Sequence, residues 1–486
     1  MSKLFIFGID ALDYNLLLSY MDDLSNFKRL ISEGQLIKST SVFPPDSDTA
    51  WSTIYTGLSP AEHGVVNFVD PLRKSTKYLT EETEHEILKG KTFWDFASKI
   101  RKKVIVLFPH VGYPPWDVNG IMISRSSLKD KVKVCPENKY IDFDLNKVNL
   151  IKGFPGGRKE LKKFITKHHA LMNNEQDLAL KLLNEEEWDL FFVYSSSLDV
   201  VKHFVWKYCD ENDPSYPGEN ELKNTIKDLY MMYDAILGNY LEKLPANTSV
   251  IVLSDHGHAG RPLKLFNINE YLRRNEYLFA IESKNAESII LIEKIKRGML
   301  HIIGKYELGK YASKILKVIP KLRKVYTSPL LIDWDKTIAY TSDLSGIKAY
   351  SYGGIIINQS KIDNSQYDGT REQIISMLSE LKDPTSDCKL FEWVKKREDL
   401  YEGEFINKYP EIIFNLNNGY GAGWEISGDL FSKSSTHNIV PGSHNANTGV
   451  FIASPVKIDD EVTNLMDVTS ILFDNIDILN RTSPTE

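Results

Sequence analysis

Short apolar runs that alternate with segments of helical periodicity are the feature of this sequence that most constrains its fold. The runs are LFIFGID at 4–10, KVIVLF at 103–108, WDLFFVYSSS at 188–197 and SVIVLSDHG at 249–257. Helical patterns follow the first run and cover about 159–187 and 219–242. Strands that are apolar on both faces and separated by helices are typical of a parallel sheet covered on both sides. We therefore predict an α/β fold with a mostly parallel central sheet flanked by helices.

The composition places the chain among globular proteins. A hydrophobic fraction of 42% beside a net charge of −7 suits neither a disordered chain nor a protein that binds nucleic-acid polymers. Cys135, Cys209 and Cys388 are far apart, so they form neither a disulfide framework nor a zinc knuckle. The sequence shows no secretory leader pattern and no uninterrupted apolar run long enough to span a membrane. A cytoplasmic enzyme is the expectation.

Three of the predicted strands end in an aspartate. These residues are Asp10 after LFIFGI, Asp199 after FFVYSSSL at 191–198 and Asp255 after SVIVLS. One carboxylate at a strand end is commonly a helix cap or a turn former. Because ligands of parallel sheets gather beyond the carboxyl ends of the strands, three such carboxylates favour a shared site.

Histidines stand close to these aspartates. His203 follows Asp199 by four residues, so both lie on one face if a helix starts there. His256 directly follows Asp255, and His444 precedes the strand-like GVFIAS. Taken singly, these are explained by a surface ion pair, a turn and a structural histidine. Together the six side chains supply the oxygen and nitrogen donors that suit Zn²⁺ or Mn²⁺, and they suffice for two ions.

A stretch rich in hydroxyl groups, FPPDSDTAWSTIYTGLSPAEHGV at 43–65, is the candidate source of a nucleophile. Its first five serine and threonine residues are Ser47, Thr49, Ser52, Thr53 and Thr56. A serine hydroxyl is a poor nucleophile at neutral pH, and a divalent cation can favour its alkoxide. The residues by themselves leave open which hydroxyl reacts.

These motifs, in this order, resemble those of the alkaline phosphatase superfamily, and within it the type I phosphodiesterase and nucleotide pyrophosphatase branch. The resemblance runs through most of the chain and includes GIDALDY at 8–14, the hydroxyl-rich stretch, GYPPWDVNGIMIS at 112–124, SSLDVVKHFVW at 196–206, SDHGHAG at 254–260, IDWDKTIAY at 332–340 and GSHNANTGVFIAS at 442–454. It implies an alkaline-phosphatase-like fold and a hydrolase that cleaves phosphodiester or pyrophosphate bonds. The implied substrate is small and phosphorylated: a nucleotide, a nucleotide sugar or a sugar phosphate.

The resemblance also implies roles for particular residues. Counting back from Trp51 places Ser47 at the position of the family's nucleophile, which forms a phosphoseryl intermediate. One divalent ion would be held by Asp10, Ser47, Asp255 and His256, and the other by Asp199, His203 and His444. Zn²⁺ is the expected metal and Mn²⁺ the second candidate.

One departure from the family pattern adjoins the nucleophile. Asp46 and Asp48 flank Ser47 and add negative charge where an anion should bind. Helix capping or support of neighbouring residues are the roles considered for them.

Other functions are compatible with parts of this pattern. A sulfatase is disfavoured because SDTAW at 47–51 lacks the proline and arginine of the sulfatase C/S-x-P-x-R frame. A phosphomonoesterase, a phosphomutase or a phosphotransferase on sugar or lipid-linked phosphates is the main alternative, since an acceptor alcohol can replace water. A non-catalytic metal-binding module is a further alternative, but it would have no need to keep all six ligands and the serine together.

Residues 266–330 differ in character from the rest of the chain. The part from 294 to 324 carries ten Lys and Arg residues against one acid, Glu307, and its apolar residues suggest amphipathic helices. We predict an inserted basic helical cap at 266–330, with the alkaline-phosphatase-like catalytic domain formed by 1–265 and 331–486.

The basic residues of this segment have three explanations. Lys294, Lys296 and Arg297 are candidate contacts for an anionic substrate. A solvated basic face and peripheral contact with an anionic membrane surface are the alternatives. The sequence that follows, 332–358, is predicted to be rich in β-structure.

Overall fold

The 486-residue chain is represented by a computed structural model. It describes residues 3–66, 81–281, 332–342, 350–423, 425–426, 429–434, 437–455, 464–467, 470–472 and 474.

An eight-stranded sheet forms the centre of the fold. Its strands, in spatial order, are β2 (Gln35–Ser39), β17 (Gly449–Ser454), β7 (Thr248–Leu253), β1 (Lys3–Ile9), β6 (Leu190–Ser195), β3 (Val104–Leu107), β4 (Gly120–Arg125) and β5 (Val132–Cys135). The strands from β7 to β4 run parallel, whereas β17 and β5 are antiparallel to their neighbours. The predicted mostly parallel central sheet is therefore confirmed.

Helices connect and cover these strands. The α-helices are α1 (Tyr14–Ser19), α2 (Ser25–Glu33), α3 (Ser47–Thr56), α4 (Pro60–His63), α5 (Glu81–Leu88), α6 (Phe93–Lys99), α7 (Arg158–Glu185), α8 (Ser197–Cys209), α9 (Thr225–Lys243), α10 (Ile268–Arg274) and α11 (Asn364–Ser379). Short 3₁₀ helices lie at Met21–Asp23, Leu145–Val148, Gln359–Lys361, Arg397–Asp399 and Ile406–Lys408.

Aromatic side chains pack the helices against both faces of the sheet. On one face, Phe5 and Phe7 of β1 contact Tyr240 and Tyr233 of α9, with ring centroids 5.2 and 6.1 Å apart. On the other face, Phe192 of β6 contacts the ring of Trp94 in α6 and that of Trp51 in α3, at 5.9 and 6.5 Å. Because side chains alternate along a strand, apolar residues throughout each strand serve both layers.

Three smaller sheets lie outside the central one. They comprise β10 (Ala339–Ser342), β11 (Tyr352–Ile357), β13 (Ile412–Leu416) and β12 (Phe391–Lys396); β14 (Tyr420–Gly423), β9 (Lys264–Asn267) and β15 (Phe431–Lys433); and β16 (Gly442–Asn445) with β8 (Gly257–Gly260). The four-stranded antiparallel sheet and α11 build a second hydrophobic core, to which Ile355, Ile374 and Phe414 contribute. The predicted β-structure within 332–358 is confirmed by β10 and β11.

The helix predicted after β1 is interrupted. It forms α1, a 3₁₀ turn at Met21–Asp23 and α2 instead of one continuous helix. The reason lies far away in the sequence: Asp234 of α9 accepts hydrogen bonds from the backbone N–H groups of Asn26 and Phe27, at 2.9 and 2.8 Å. This carboxylate caps the start of α2 and fixes a new helix there.

The predicted cap at 266–330 is described only at its beginning. Phe266 and Asn267 are the last two residues of β9. Ile268 and Leu272 of α10 are buried in the second core. Lys294, Lys296 and Arg297 lie outside the described residues, as does the rest of the segment from 282. Within the described residues, no helix has the length and apolar character needed to cross a membrane.

Candidate active site

The three aspartates predicted at strand ends meet at one edge of the central sheet. Asp10 follows β1, Asp255 follows β7, and Asp199 lies in the first turn of α8, which follows β6. β1 pairs in parallel with both β6 and β7, so the carboxyl ends of all three strands point the same way. The parallel register therefore brings together carboxylates that are more than fifty residues apart in every pair.

Asp10, Ser47, Asp255 and His256 form a first cluster. Nε2 of His256 lies 3.2 Å from Oδ2 of Asp255 and 3.8 Å from Oδ1 of Asp10. Oγ of Ser47 lies 3.2 Å from the same nitrogen and 3.5 Å from Oδ1 of Asp10. The structure thus gathers the four residues predicted for one ion, and their role as ligands stays a prediction.

Asp199, His203 and His444 form a second cluster beside the first. Nε2 of His203 lies 3.4 Å from Oδ2 of Asp199 and 3.1 Å from Nε2 of His444. Nε2 of His444 lies 3.8 Å from Oδ1 of Asp199. The rings of His256 and His444 stack with centroids 4.0 Å apart, so the two clusters adjoin.

Backbone carbonyl groups orient the two imidazoles of the second cluster. Nδ1 of His203 lies 3.1 Å from the carbonyl oxygen of Gly442, and Nδ1 of His444 lies 2.8 Å from that of Pro45. These contacts turn Nε2 of each ring toward Asp199, as is usual for metal-binding histidines. Glycine is required at 442, since a Cβ atom there would lie 2.6 Å from the carbonyl oxygen of Lys202.

Ser47 is the first residue of α3. Asp46 caps this helix, because its carboxylate accepts hydrogen bonds from the backbone N–H of Thr49 at 3.1 Å and from the Thr49 hydroxyl at 2.9 Å. The capping role considered for Asp46 is therefore confirmed. The hydroxyl of Ser52 donates to the carbonyl oxygen of Asp48 at 2.7 Å, within the helix. Of these hydroxyl groups, that of Ser47 is the one that contacts the first cluster.

The chemistry of the two clusters fits divalent cations. Oδ1 of Asp199 and Oδ2 of Asp255 are buried and have no hydrogen-bond partner among the described residues. Burial raises the pKa of Asp10 to about 8, and the charges of Asp255 and Asp199 act in the same direction. Burial likewise raises the pKa of Asp255 to about 7, with Asp199 adding to the effect. A cation among these carboxylates would stabilise their charged forms and bind the unpaired oxygens.

The metal-free protein is expected to lose stability as the pH rises from about 6.5 to about 8. In this window the folded protein holds protons that the unfolded chain has lost, because the pKa of Asp10 is raised to about 8 and that of His110 to about 9. Below pH 6.5 the buried His258 and His444 oppose the trend, since their pKa values are lowered. Above pH 8 Lys202 opposes it, since burial lowers its pKa to about 8.

The fall in the free energy of unfolding across this window should be about 3 kcal/mol. It can be measured by chemical denaturation of chelator-treated protein at each pH. Protein loaded with Zn²⁺ is the control, and its stability should vary less because the ion replaces the protons on Asp10 and Asp255. A metal-free stability that rises with pH between 6.5 and 8 would contradict this account.

A chain of hydrogen bonds joins Asp48 to the first cluster. Nε2 of His110 lies 2.8 Å from Oδ1 of Asp48, and Nδ1 lies 2.8 Å from the hydroxyl of Tyr194. The Tyr194 hydroxyl donates to Oδ2 of Asp10. Burial lowers the pKa of His110, but the hydrogen bond and the charge of Asp48 outweigh burial and raise this pKa to about 9. The resulting imidazolium neutralises Asp48 beside Ser47 and supports Asp10.

His110 is a site residue that the sequence reasoning missed. It follows KVIVLF by one residue, so it stands at the carboxyl end of a strand like the three aspartates. Its position at a strand end could have identified it as a candidate site residue, because ligands of parallel sheets bind there. Asp13 and His258, which adjoin the predicted ligands in the sequence, also lie at the site, and the carboxylate of Asp13 accepts a hydrogen bond from the backbone N–H of His258 at 3.0 Å.

A mostly parallel α/β sheet that carries aspartate and histidine clusters at its strand ends, around a serine that begins a helix, is the arrangement expected of the alkaline phosphatase superfamily. Residues 4–404 match the family model described as type I phosphodiesterase / nucleotide pyrophosphatase, and the chain belongs to this family. It is accordingly a hydrolase of phosphoester bonds. His444 lies beyond the matched residues, and its place in the site comes from the fold.

Solved structures resemble the chain at low sequence identity. Phosphonoacetate hydrolase from Sinorhizobium meliloti 1021, in complex with phosphonoformate, is 13% identical with a TM-score of 0.59, over 98% of this chain and 96% of that chain. Murine ectonucleotide pyrophosphatase / phosphodiesterase 5 is also 13% identical, with a TM-score of 0.49, over 98% of this chain and 95% of that chain. No curated protein matches the chain.

Proposed function

We propose that this protein is a two-metal phosphodiesterase that cleaves phosphodiester or pyrophosphate bonds in substrates of the nucleotide or nucleotide-sugar type. The observation that carries the proposal is the position of Ser47, whose Oγ lies 3.2 Å from Nε2 of His256 and 3.5 Å from Oδ1 of Asp10 at the start of α3. Membership of the type I phosphodiesterase / nucleotide pyrophosphatase family supports the substrate class.

The residues of the two clusters divide the work. Asp10, Ser47, Asp255 and His256 would hold one divalent ion, and Asp199, His203 and His444 would hold the other. When bound, such ions favour the alkoxide of a coordinated hydroxyl and stabilise charge on the attacking and leaving oxygens of an in-line displacement. Zn²⁺ suits this mixture of nitrogen and oxygen ligands, and Mn²⁺ is the second candidate.

Ser47 is the proposed nucleophile. Its Oγ gives up its proton and attacks phosphorus, the bond from phosphorus to the leaving oxygen breaks with uptake of a proton by that oxygen, and a phosphoseryl group remains on Ser47. Water then attacks the same phosphorus, the bond from phosphorus to Oγ breaks, and a proton from the water restores the Ser47 hydroxyl. The N-terminus of α3, to which Ser47 belongs, favours negative charge on the phosphoryl oxygens. His110 keeps Asp48 from opposing that charge, since its Nε2 lies 2.8 Å from Oδ1 of Asp48.

The organisation of the substrate side is part of this proposal. The catalytic domain would comprise 1–265 and 331–486, and the basic cap at 266–330 would attract the anionic substrate through Lys294, Lys296 and Arg297. Electrostatic attraction of this kind raises the rate at which a charged substrate binds.

A paired hydrolysis assay tests the function. Protein stripped with a chelator is reloaded with Zn²⁺ or Mn²⁺ and given bis(p-nitrophenyl) phosphate or p-nitrophenyl phosphate. We expect turnover only in the reloaded protein, with the diester cleaved faster than the monoester. A preference for the monoester would replace the proposal with a phosphomonoesterase or a phosphomutase. Bound metal without turnover of either ester or of a dinucleotide pyrophosphate would favour a binding protein.

A further inference from the structure

His258 lies at the second cluster and takes no part in the function proposed so far. The residue is 2% exposed, and neither ring nitrogen makes a hydrogen bond of good geometry within the described part of the chain, although Nδ1 lies 3.3 Å from Oδ1 of Asp199. A buried polar group without a partner destabilises a protein by roughly 1–3 kcal/mol. An imidazole retained in such a position needs a compensating contact.

The surroundings of the ring leave one nitrogen facing the cluster. Nδ1 of His258 lies 3.3 Å from Oδ1 of Asp199, which is itself buried without a hydrogen-bond partner. Nε2 faces the backbone of β16, since a Cβ atom at Gly442 would lie 2.4 Å from it. Behind the ring lies the indole of Trp206, with centroids 5.4 Å apart. Nδ1 is therefore the atom available to a ligand.

The distances are those expected around a single ion. Two ligand atoms that bind a tetrahedral ion at about 2.0–2.1 Å lie about 3.3 Å apart. The separation between Nδ1 of His258 and Oδ1 of Asp199 is 3.3 Å, and that between Nε2 of His203 and Oδ2 of Asp199 is 3.4 Å. One ligand atom from each of Asp199, His203 and His258 can be chosen so that all lie within 4.8 Å of one another.

We propose that His258 is a ligand of the second ion, together with Asp199 and His203. This inference rests on the two-metal function proposed above and adds a nitrogen ligand to it. The two-stranded antiparallel sheet of β8 and β16 supports the assignment, because it pairs His258 directly with His444 across the two strands. A site with this many imidazoles favours Zn²⁺ over Mn²⁺, which prefers oxygen ligands. The second site should therefore select Zn²⁺ more strongly than the first, which has two carboxylates.

Zn²⁺ binding by the native protein and two variants tests the proposal. The number of ions and their Kd values are measured by competition with a chromophoric chelator. The native protein should bind two ions, and His258→Leu should weaken one of them by more than about 100-fold, since loss of a residue that only supports a ligand costs 10- to 100-fold. A native protein that binds no Zn²⁺ would overturn the proposed function itself. Two ions bound by His258→Leu with native affinity would overturn only the present inference.

The second variant separates a ligand from a supporting residue. His258→Gln keeps a hydrogen-bond donor for Asp199 but has no imidazole. If His258 binds the ion, glutamine cannot take its place. The Zn²⁺ affinity of the second site should then stay more than about 100-fold below that of the native protein. Restoration to within tenfold of the native affinity would show that His258 only positions Asp199, and would overturn the proposal.

Thermal unfolding provides the control for misfolding. His258→Leu removes unpaired buried nitrogens, so the metal-free variant should be at least as stable as the metal-free native protein, while Zn²⁺ should stabilise it less. His63→Leu is the matched control, since His63 is 0% exposed and its nitrogens contact the hydroxyl of Thr53 at 3.1 Å and the backbone N–H of Val65 at 3.0 Å. It should lose stability equally with and without metal. The same behaviour in His258→Leu would assign His258 a structural role and overturn the proposal.

Discussion

Replacing Ser47 with alanine is expected to lower kcat/KM for a diester by at least about a thousandfold. The hydroxyl of Ser47 is the one in its helix that contacts the first cluster, at 3.2 Å from Nε2 of His256 and 3.5 Å from Oδ1 of Asp10. Asp10, Asp255 and His256 remain in the variant, so metal should stay bound. Hydrolysis of bis(p-nitrophenyl) phosphate and the metal content of the purified variant measure the two effects.

Ser52→Ala is the matched control for this change. Ser52 lies one turn further along α3, is 0% exposed, and donates its hydroxyl to the carbonyl oxygen of Asp48. Its loss should leave the rate within about threefold of the native value, because a helix-internal hydrogen bond of this kind contributes only about 1 kcal/mol to stability. Native activity in Ser47→Ala would move the nucleophile elsewhere, and Thr49 would be tested next.

Replacing Asp199 with asparagine should remove one metal ion and lower kcat/KM by about a thousandfold. Asparagine keeps the shape of the side chain but loses its negative charge. Asp199 supplies that charge to the second cluster, where Nε2 of both His203 and His444 lies within 4 Å of its carboxylate. An ion that stabilises the displacement is worth several kcal/mol, and each 1.36 kcal/mol corresponds to a factor of ten in rate. Metal analysis after dialysis should give one ion per chain in place of two.

Asp95→Asn controls for the general effect of altering a buried carboxylate. Asp95 is 6% exposed and accepts hydrogen bonds from Thr92 and from Nε1 of Trp116, at 2.8 Å for the latter. This variant should be less stable than the native protein but should still bind two ions. Two ions in Asp199→Asn would take Asp199 out of the ligand set and weaken the case for the second site.

The sheet and the meeting of the aspartates could be predicted because each strand carries its own signal. Asp10, Asp199 and Asp255 each follow a mostly apolar run, and parallel strands place their carboxyl ends at the same edge. His203 and His256 follow from the same reasoning, because they lie within one helical turn or one residue of an aspartate. The sequence around each residue was therefore sufficient to predict which site residues meet, because the directions of the parallel strands bring them to one edge.

Contacts made between distant segments could not be predicted in this way. The carboxylate of Asp234 caps the first turn of α2, although it lies more than two hundred residues further along the chain. The sequence around α2 gives no sign of this contact. His110 reaches Asp48 across 62 residues, and only the fold shows that this charge is compensated. Such contacts depend on how distant segments pack against each other, and the periodicity of a segment does not reveal them.

The place of β17 in the central sheet has a consequence for the order in which the protein acquires its chemistry. This strand ends at Ser454, yet it lies between β2 and β7 and pairs with both. During synthesis β2 is made early. Its neighbour in the described sheet is β17, which is made only after more than four hundred further residues. His444 is made only shortly before β17. Ribosome-bound intermediates that lack this segment therefore carry Ser47 before His444 can join Asp199 and His203.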